Sequence, residues 1–172
     1  KKGIYAASMT IISEDMTVLV DETIKHSEKI LNDGATGCVL FGSTGQSQLI
    51  SVDEKKKVIE KLSHNKFKDR FILGTGLNSL NDNINLIKFA QKNGIDRFLL
   101  GVPAYYKFSH DNAYNFFANL FERAPEINVI LYNFEKLFGY KFDIQIVERL
   151  VKKFPQVKGL KDSSYNLFNT LK

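Results

Sequence analysis

Three short apolar runs in this chain end in residues able to do chemistry at a carbonyl group. Val157-Lys158-Gly159-Leu160 runs into Lys161 and Asp162-Ser163-Ser164, Val129-Ile130-Leu131 into Tyr132-Asn133, and Cys38-Val39-Leu40-Phe41 into Gly42-Ser43-Thr44-Gly45. If the runs are parallel strands, an amine, a phenol and a hydroxyl loop flanked by glycines meet on the carboxyl rim of one sheet. That rim is where α/β proteins bind ligands. A lysine partly withdrawn from water can lose its proton near neutral pH and attack a carbonyl carbon. Schiff-base chemistry on a keto acid is therefore the first expectation. Alone, a lysine at a strand end is an ordinary surface residue and Tyr132 would equally well be a core tyrosine. The weight comes from the company the three runs keep.

Other chemistries find less support. The loop Gly42-Ser43-Thr44-Gly45-Gln46-Ser47 offers backbone and hydroxyl donors to a carboxylate or phosphate, but no Gly-Lys-Ser/Thr follows and it is not a P-loop. Gly74-Thr75-Gly76 lacks the third glycine of a dinucleotide fingerprint. His26, His64 and His110 share no ligand spacing with carboxylates, and no Ser-His-Asp or Cys-His set stands out, so neither metal nor cofactor is expected. Pro103-Ala104-Tyr105-Tyr106 puts paired aromatics just beyond a strand, where packing or an interface is their usual use.

The elements that must position these residues alternate without interruption. Strands are expected at Gly3–Thr10, Gly37–Phe41, Phe71–Thr75, Arg97–Val102, Val129–Tyr132 and Val157–Lys161. Most are continuous apolar runs, as parallel strands buried on both faces require. Between them lie amphipathic segments. Val20, Ile24, Ser27 and Leu31 form one stripe, which stops at Asn32-Asp33-Gly34. Ser51-Val52-Asp53-Glu54 has capping-box spacing ahead of Val58, Ile59 and Leu62. Leu80, Ile84, Ile87 and Ala90 precede Asn93-Gly94. Two further helices open near Ser109-His110-Asp111 and at Asp143. The repeated pattern of helix stop, tight connection and strand ending in glycine supports βα units. Six strands with five helices fit either a doubly wound sheet or part of a (β/α)8 barrel, and no linker divides the chain, so residues 1–172 read as one domain.

Composition narrows the setting. The chain has 172 residues, 44% hydrophobic and 25% charged, with a net charge of +5. These are the proportions of a soluble globular protein. No apolar run approaches the ~20 residues of a membrane span, and the start lacks the apolar region of a secretion signal. The single cysteine, Cys38, reads as a buried small hydrophobe in a reducing cytoplasm. Lysines are dispersed, and the densest run, Lys55-Lys56-Lys57, reads as an exposed helix face rather than a nucleic-acid patch. A small anionic substrate would suit the mildly positive chain.

Gly42-Ser43-Thr44-Gly45, Pro103-Ala104-Tyr105-Tyr106, Ile130-Leu131-Tyr132-Asn133 and Gly159-Leu160-Lys161-Asp162 occur in this order. Their order and spacing resemble the dihydrodipicolinate synthase / N-acetylneuraminate lyase family of class I aldolases along essentially the whole chain. The resemblance implies a (β/α)8 TIM barrel, of which about the first six βα units are present here and the C-terminal part is missing. It also implies a homotetramer built as a dimer of dimers. Lys161 then matches the lysine that condenses with pyruvate, and Tyr132 the tyrosine that shuttles protons. Ser43 and Thr44, with Gly45, match the loop that holds the pyruvate carboxylate and orders the tyrosine. Tyr106 matches the tyrosine that reaches a neighbouring subunit's site, meeting Thr44 and Tyr132 there. An aldehyde is the implied second substrate.

The chain departs from the family at Gln46, where many members have glutamate, and at Glu135, where a proline is usual. Leu137 stands where dihydrodipicolinate synthases typically place an arginine for the carboxylate of their aldehyde. The expectation is a pyruvate or 2-keto-acid lyase or aldolase resembling N-acetylneuraminate lyases or sugar-acid aldolases. Dihydrodipicolinate synthase proper, or a non-catalytic keto-acid-binding barrel, are the alternatives.

Overall fold

The apolar runs become strands and the amphipathic stripes become helices, in the expected alternation. A computed structural model describes residues 2–166. It contains β1 (Tyr5–Ala7), α1 (Val20–Asn32), β2 (Gly37–Leu40), α2 (Val52–Ser63), β3 (Phe71–Gly74), α3 (Leu80–Lys92) and β4 (Arg97–Leu100). These are followed by α4 (His110–Arg123), β5 (Asn128–Asn133), the short α5 (Glu135–Phe138), α6 (Ile144–Lys153) and β6 (Val157–Asp162).

Local chemistry sets the helix limits. Ser51 accepts from the Glu54 amide while the Glu54 carboxylate accepts from the Ser51 amide, closing the capping box at the start of α2. Ser109 and Asn112 form the same reciprocal pair ahead of α4. The Asp143 carboxylate accepts from the amides of Gln145 and Ile146 and caps α6. After α1 the chain turns at Gly34 with φ +107°, a conformation in which a side chain would be strained.

Strand order decides between the two architectures. All pairings are parallel and the order is sequential from β1 to β6. A doubly wound sheet reverses direction at a switch point, and this one does not. Parallel crossovers are right-handed, so an order that never reverses sends every connecting helix to the same face. The six strands form a curled half-barrel, part of a (β/α)8 TIM barrel. Its core lies between strands and helices, where Leu40, Phe71, Phe98, Val129 and Leu131 meet Ile59, Ile87, Phe117 and Leu120. Cys38 is fully buried there, and burial pushes its thiol pKa up.

Two expectations need correction. The first strand is only Tyr5–Ala7, far shorter than Gly3–Thr10. Lys55 is not on a solvated helix face but completely buried. The helix α5 and 3-10 turns at Ser47–Leu49 and Lys68–Arg70 are additional.

One close backbone approach holds the β2 rim in shape. Phe41, buried at the end of β2, has φ +56°, a costly conformation for a bulky residue. It is accommodated because Gly74 on β3 leaves room: a Cβ there would lie 2.1 Å from the Phe41 carbonyl oxygen. Gly74→Ala should therefore push β3 from β2 and destabilise the full-length protein by at least about 2 kcal/mol, since overpacking against fixed backbone cannot be relieved by rotamers. An unchanged denaturation midpoint would show that Phe41 can relax.

Candidate active site at the carboxyl rim

Parallel pairing brings the three rim motifs together. On β5 and β6, Tyr132 is paired with Lys161 and Asn133 with Asp162. This register depends on an irregularity: Val129 pairs with Val157, but Ile130 pairs with Gly159, leaving Lys158 as the extra residue. Without the bulge Tyr132 would stand opposite Leu160, and Lys161 would turn to the other face of the sheet. With it, Lys161 Nζ lies 3.8 Å from the Tyr132 ring centroid. It also donates to Ser163 Oγ at 3.3 Å.

The Tyr132 hydroxyl is 3.1 Å from Ser43 Oγ. Burial alone would raise the phenol's pKa, but the neighbouring Lys161, Ser43 and Ser163 together outweigh it and hold the phenol below the ordinary tyrosine value. A phenol so placed accepts and returns protons more readily than a solvent tyrosine. The ring is fixed edge-on against Phe138 at 5.4 Å. Asn133, also buried, donates to Asp162 Oδ1 at 2.9 Å and accepts from the Phe142 amide at 3.0 Å. Asn133 thus ties β5, β6 and the segment before α6 at the level of the lysine.

The hydroxyl that meets Tyr132 is that of Ser43, not Thr44. Thr44 is exposed and, like Gly45, lies outside the lining of the cavity beside Tyr132. Gly45 has a packing role: its carbonyl accepts from Thr10 Oγ1 at 2.7 Å, and a Cβ there would be 3.0 Å from the Ser8 carbonyl oxygen. Tyr106, expected at a neighbouring subunit's site, points its ring to solvent within this chain. Its ring is 71% exposed and rests edge-on against Tyr105 at 5.1 Å. Leu137, by contrast, lines the cavity, as do Gln46 and Phe138.

That cavity, about 320 Å³, lies beside Ser43 and Tyr132. Its polar lining comes from neutral groups such as Gln46, Ser47, Gln48, Thr75 and Asn78, and none of its lining residues is charged. Among the described residues, no group of three or more His, Cys, Asp or Glu side chains could hold a metal ion.

Sequence reasoning missed Lys55. It is 0% exposed, donates to the Ser47 carbonyl at 2.7 Å, and so holds the end of the hydroxyl loop. The signal was present, because Lys55 precedes Ile59 by four residues and Leu62 by seven, on the stripe that α2 buries.

Fold and site together define part of a (β/α)-barrel with Lys161, Tyr132 and Ser43 gathered at the carboxyl ends of its strands. The chain belongs to the dihydrodipicolinate synthetase family, which it matches over residues 1–172. It is 31% identical over 172 residues to 4-hydroxy-tetrahydrodipicolinate synthase of Listeria monocytogenes serotype 4b, covering 98% of this chain and 58% of the relative. The crystal structure of dihydrodipicolinate synthase from Agrobacterium tumefaciens superimposes with a TM-score of 0.93 at 28% identity, over 99% of this chain and 61% of that one. A prophage protein of the dihydrodipicolinic acid synthase family from E. coli, solved in complex with pyruvate, gives 0.87 at 26%, over 97% and 56%. The chain thus spans a little more than half the length of these relatives.

Burial pushes the Lys55 amine down to about 8 from 10.5, the nearby Glu54 opposing only weakly. Between those values the unfolded chain binds more protons than the folded one, so the Lys55 contribution to stability rises with pH. It is fully present above 10.5 and lost as pH falls through about 8. The difference is about 3 kcal/mol. Lys55→Met should flatten this alkaline rise in denaturation experiments on the full-length protein. An identical slope in variant and wild type would remove Lys55 as its source.

Proposed function

We propose that the protein is a class I lyase or aldolase that forms a Schiff base between Lys161 and the keto carbon of pyruvate or a related 2-keto acid. The observation that carries this reading is the placement of the Lys161 amine 3.8 Å from the centre of the Tyr132 ring, whose hydroxyl meets Ser43. Family membership and the pyruvate named with the E. coli relative support the same chemistry.

The amine adds to the keto carbon, and the carbinolamine loses water to give an iminium. The iminium draws electrons from the adjacent methyl carbon, which gives up a proton and becomes an enamine nucleophile. Attack on an aldehyde forms the new carbon–carbon bond, and hydrolysis returns the free lysine; cleavage runs the same steps backwards. Tyr132 moves the protons, while Ser43 orients its hydroxyl and the loop amides hold the carboxylate. Tyr106, highly exposed here, would complete the relay from a second copy of the chain in a cytoplasmic homo-oligomer.

The second substrate in this reading is an uncharged, polyhydroxylated aldehyde. Leu137 and the neutral cavity lining supply hydrogen-bonding groups and apolar surface but no cation for a carboxylate. Condensation with aspartate semialdehyde is the second reading, favoured by the name of the Listeria relative. It would need Lys136, whose amine lies 5.8 Å from the Tyr165 ring, to swing inward.

Borohydride reduction of the full-length protein with pyruvate should leave a stable adduct at Lys161. Tyr132→Phe should slow turnover by about two to four orders of magnitude while leaving pyruvate binding near wild type. No mass change at Lys161 in folded protein would end the covalent reading.

Aspartate semialdehyde should be turned over more poorly than at least one polyhydroxylated substrate, by roughly two to three decades in kcat/KM, the cost of an unpartnered carboxylate. Efficient condensation with the semialdehyde, abolished by Lys136→Ala, would establish the second reading instead.

A further inference from the structure

The cavity wall opposite the hydroxyl loop is carried by the segment 134–143, which holds Leu137 and Phe138. Two anchors hold it. On the strand side, the Phe142 amide donates to Asn133 next to Tyr132. On the helix side stands a cluster unused by the chemistry above: His110 Nδ1 is 2.9 Å from the Tyr140 hydroxyl, and His110 Nε2 is 2.9 Å from Asp143 Oδ2.

We propose that His110 is a positioning residue for this wall. Its ring ties the start of α4 to both Tyr140 and Asp143, and so fixes the face that Leu137 and Phe138 present to the second substrate.

Hydrogen-bond direction supports the bridge. Tyr140 is buried, and burial, with the Asp143 carboxylate nearby, pushes its pKa up to about 12. The Asp143 carboxylate can only accept, so the ring carries a hydrogen on Nε2 and donates it there; in that tautomer Nδ1 accepts from the Tyr140 hydroxyl. Asp143 Oδ1 meanwhile accepts from the amides of Gln145 and Ile146. One ring thus joins the starts of two helices to the segment between β5 and α6. Tyr140 also packs edge-on against Phe142 at 5.1 Å, and Phe142 leads through its amide to Asn133. Leu137 and Phe138 lie between Asn133 and these anchored residues, with the Phe138 ring under Gly101, where a Cβ would come within 2.6 Å of it.

A separate pairing keeps α4 beside α6. Arg149 donates to Asp111 at 2.6 Å and covers the Tyr114 ring at 3.9 Å. Loss of the His110 ring should therefore loosen the segment without undocking the helices.

The test compares full-length wild type with His110→Ala, Tyr140→Phe and the double variant. Amide hydrogen exchange across 134–143 should be about five- to tenfold faster in each single variant, and no faster in the double than in His110→Ala, because loss of the ring already removes the Tyr140 contact. His110→Gln, which retains a donor toward Asp143, should recover part of the protection.

The substrate consequence rests on the aldolase reading. With D-glyceraldehyde as the acceptor probe, the aldehyde KM should rise about five- to tenfold with kcat within about twofold of wild type. Borohydride trapping of pyruvate should be unaffected. Unchanged exchange in both single variants overturns the proposal, as does an equal loss of pyruvate trapping and aldehyde binding. If wild type traps no pyruvate, or turns over no glyceraldehyde, the enzymatic reading fails there and the exchange result alone decides the role of His110.

Discussion

The pairing of β5 with β6 is the constraint on which the site depends. In a sheet, each step of register turns every later side chain to the opposite face. The bulge at Lys158 makes one such step, and it puts Lys161 rather than Leu160 beside Tyr132. Everything proposed for the chemistry follows from that neighbour relation: an amine against an aromatic face, a phenol held below its usual pKa, and Ser163 as the amine's hydrogen-bond acceptor. Asn133 and Asp162 pair one residue further on and lock the same register through a side-chain hydrogen bond.

The opposite wall of the site depends on tolerated strain. The hydroxyl loop leaves β2 through Phe41 in a left-handed conformation and turns again at Gln46, also left-handed. Two features compensate. Gly74 leaves space for the Phe41 carbonyl, and Lys55 brings a buried amine to the Ser47 carbonyl. A buried lysine costs stability at neutral pH, so its retention here fits a role in shaping the loop rather than in strengthening the fold. The result is a Ser43 hydroxyl presented to Tyr132 across the rim.

In the proposed reading, choice of second substrate would belong to a different part of the molecule from the lysine chemistry. Lys161 and Tyr132 sit on adjacent strands, whereas Leu137 and Phe138 sit on the connection that follows β5. A strand residue is fixed by ladder hydrogen bonds. A residue in a connection is fixed only by what its ends are tied to. That division would let the wall that carries Glu135 and Leu137 change without disturbing the strand-held pair.

The sequence by itself determined the elements and their kind. Short apolar runs bounded by turn residues fit strands buried on both faces, and the capping residues at Ser51, Ser109 and Asp143 mark where backbone amides need partners. Lys161, Tyr132, Ser43 and Leu137 were legible because each lies at or just beyond a strand end, where βα units expose their loops. Tertiary structure decided what local pattern cannot carry. Strand order, not strand count, separated the half-barrel from a doubly wound sheet. The bulge that aligns Lys161 with Tyr132 leaves no composition signal in the run 157–161. Ser43 rather than Thr44 meets the phenol, a choice that two adjacent hydroxyls in the sequence do not reveal. Lys55 looked like surface because charge usually stays in water, and only the packing of α2 against the loop turned its amine into the interior. Pattern reads what each residue prefers alone, whereas register, turn geometry and burial are settled between residues far apart in the chain.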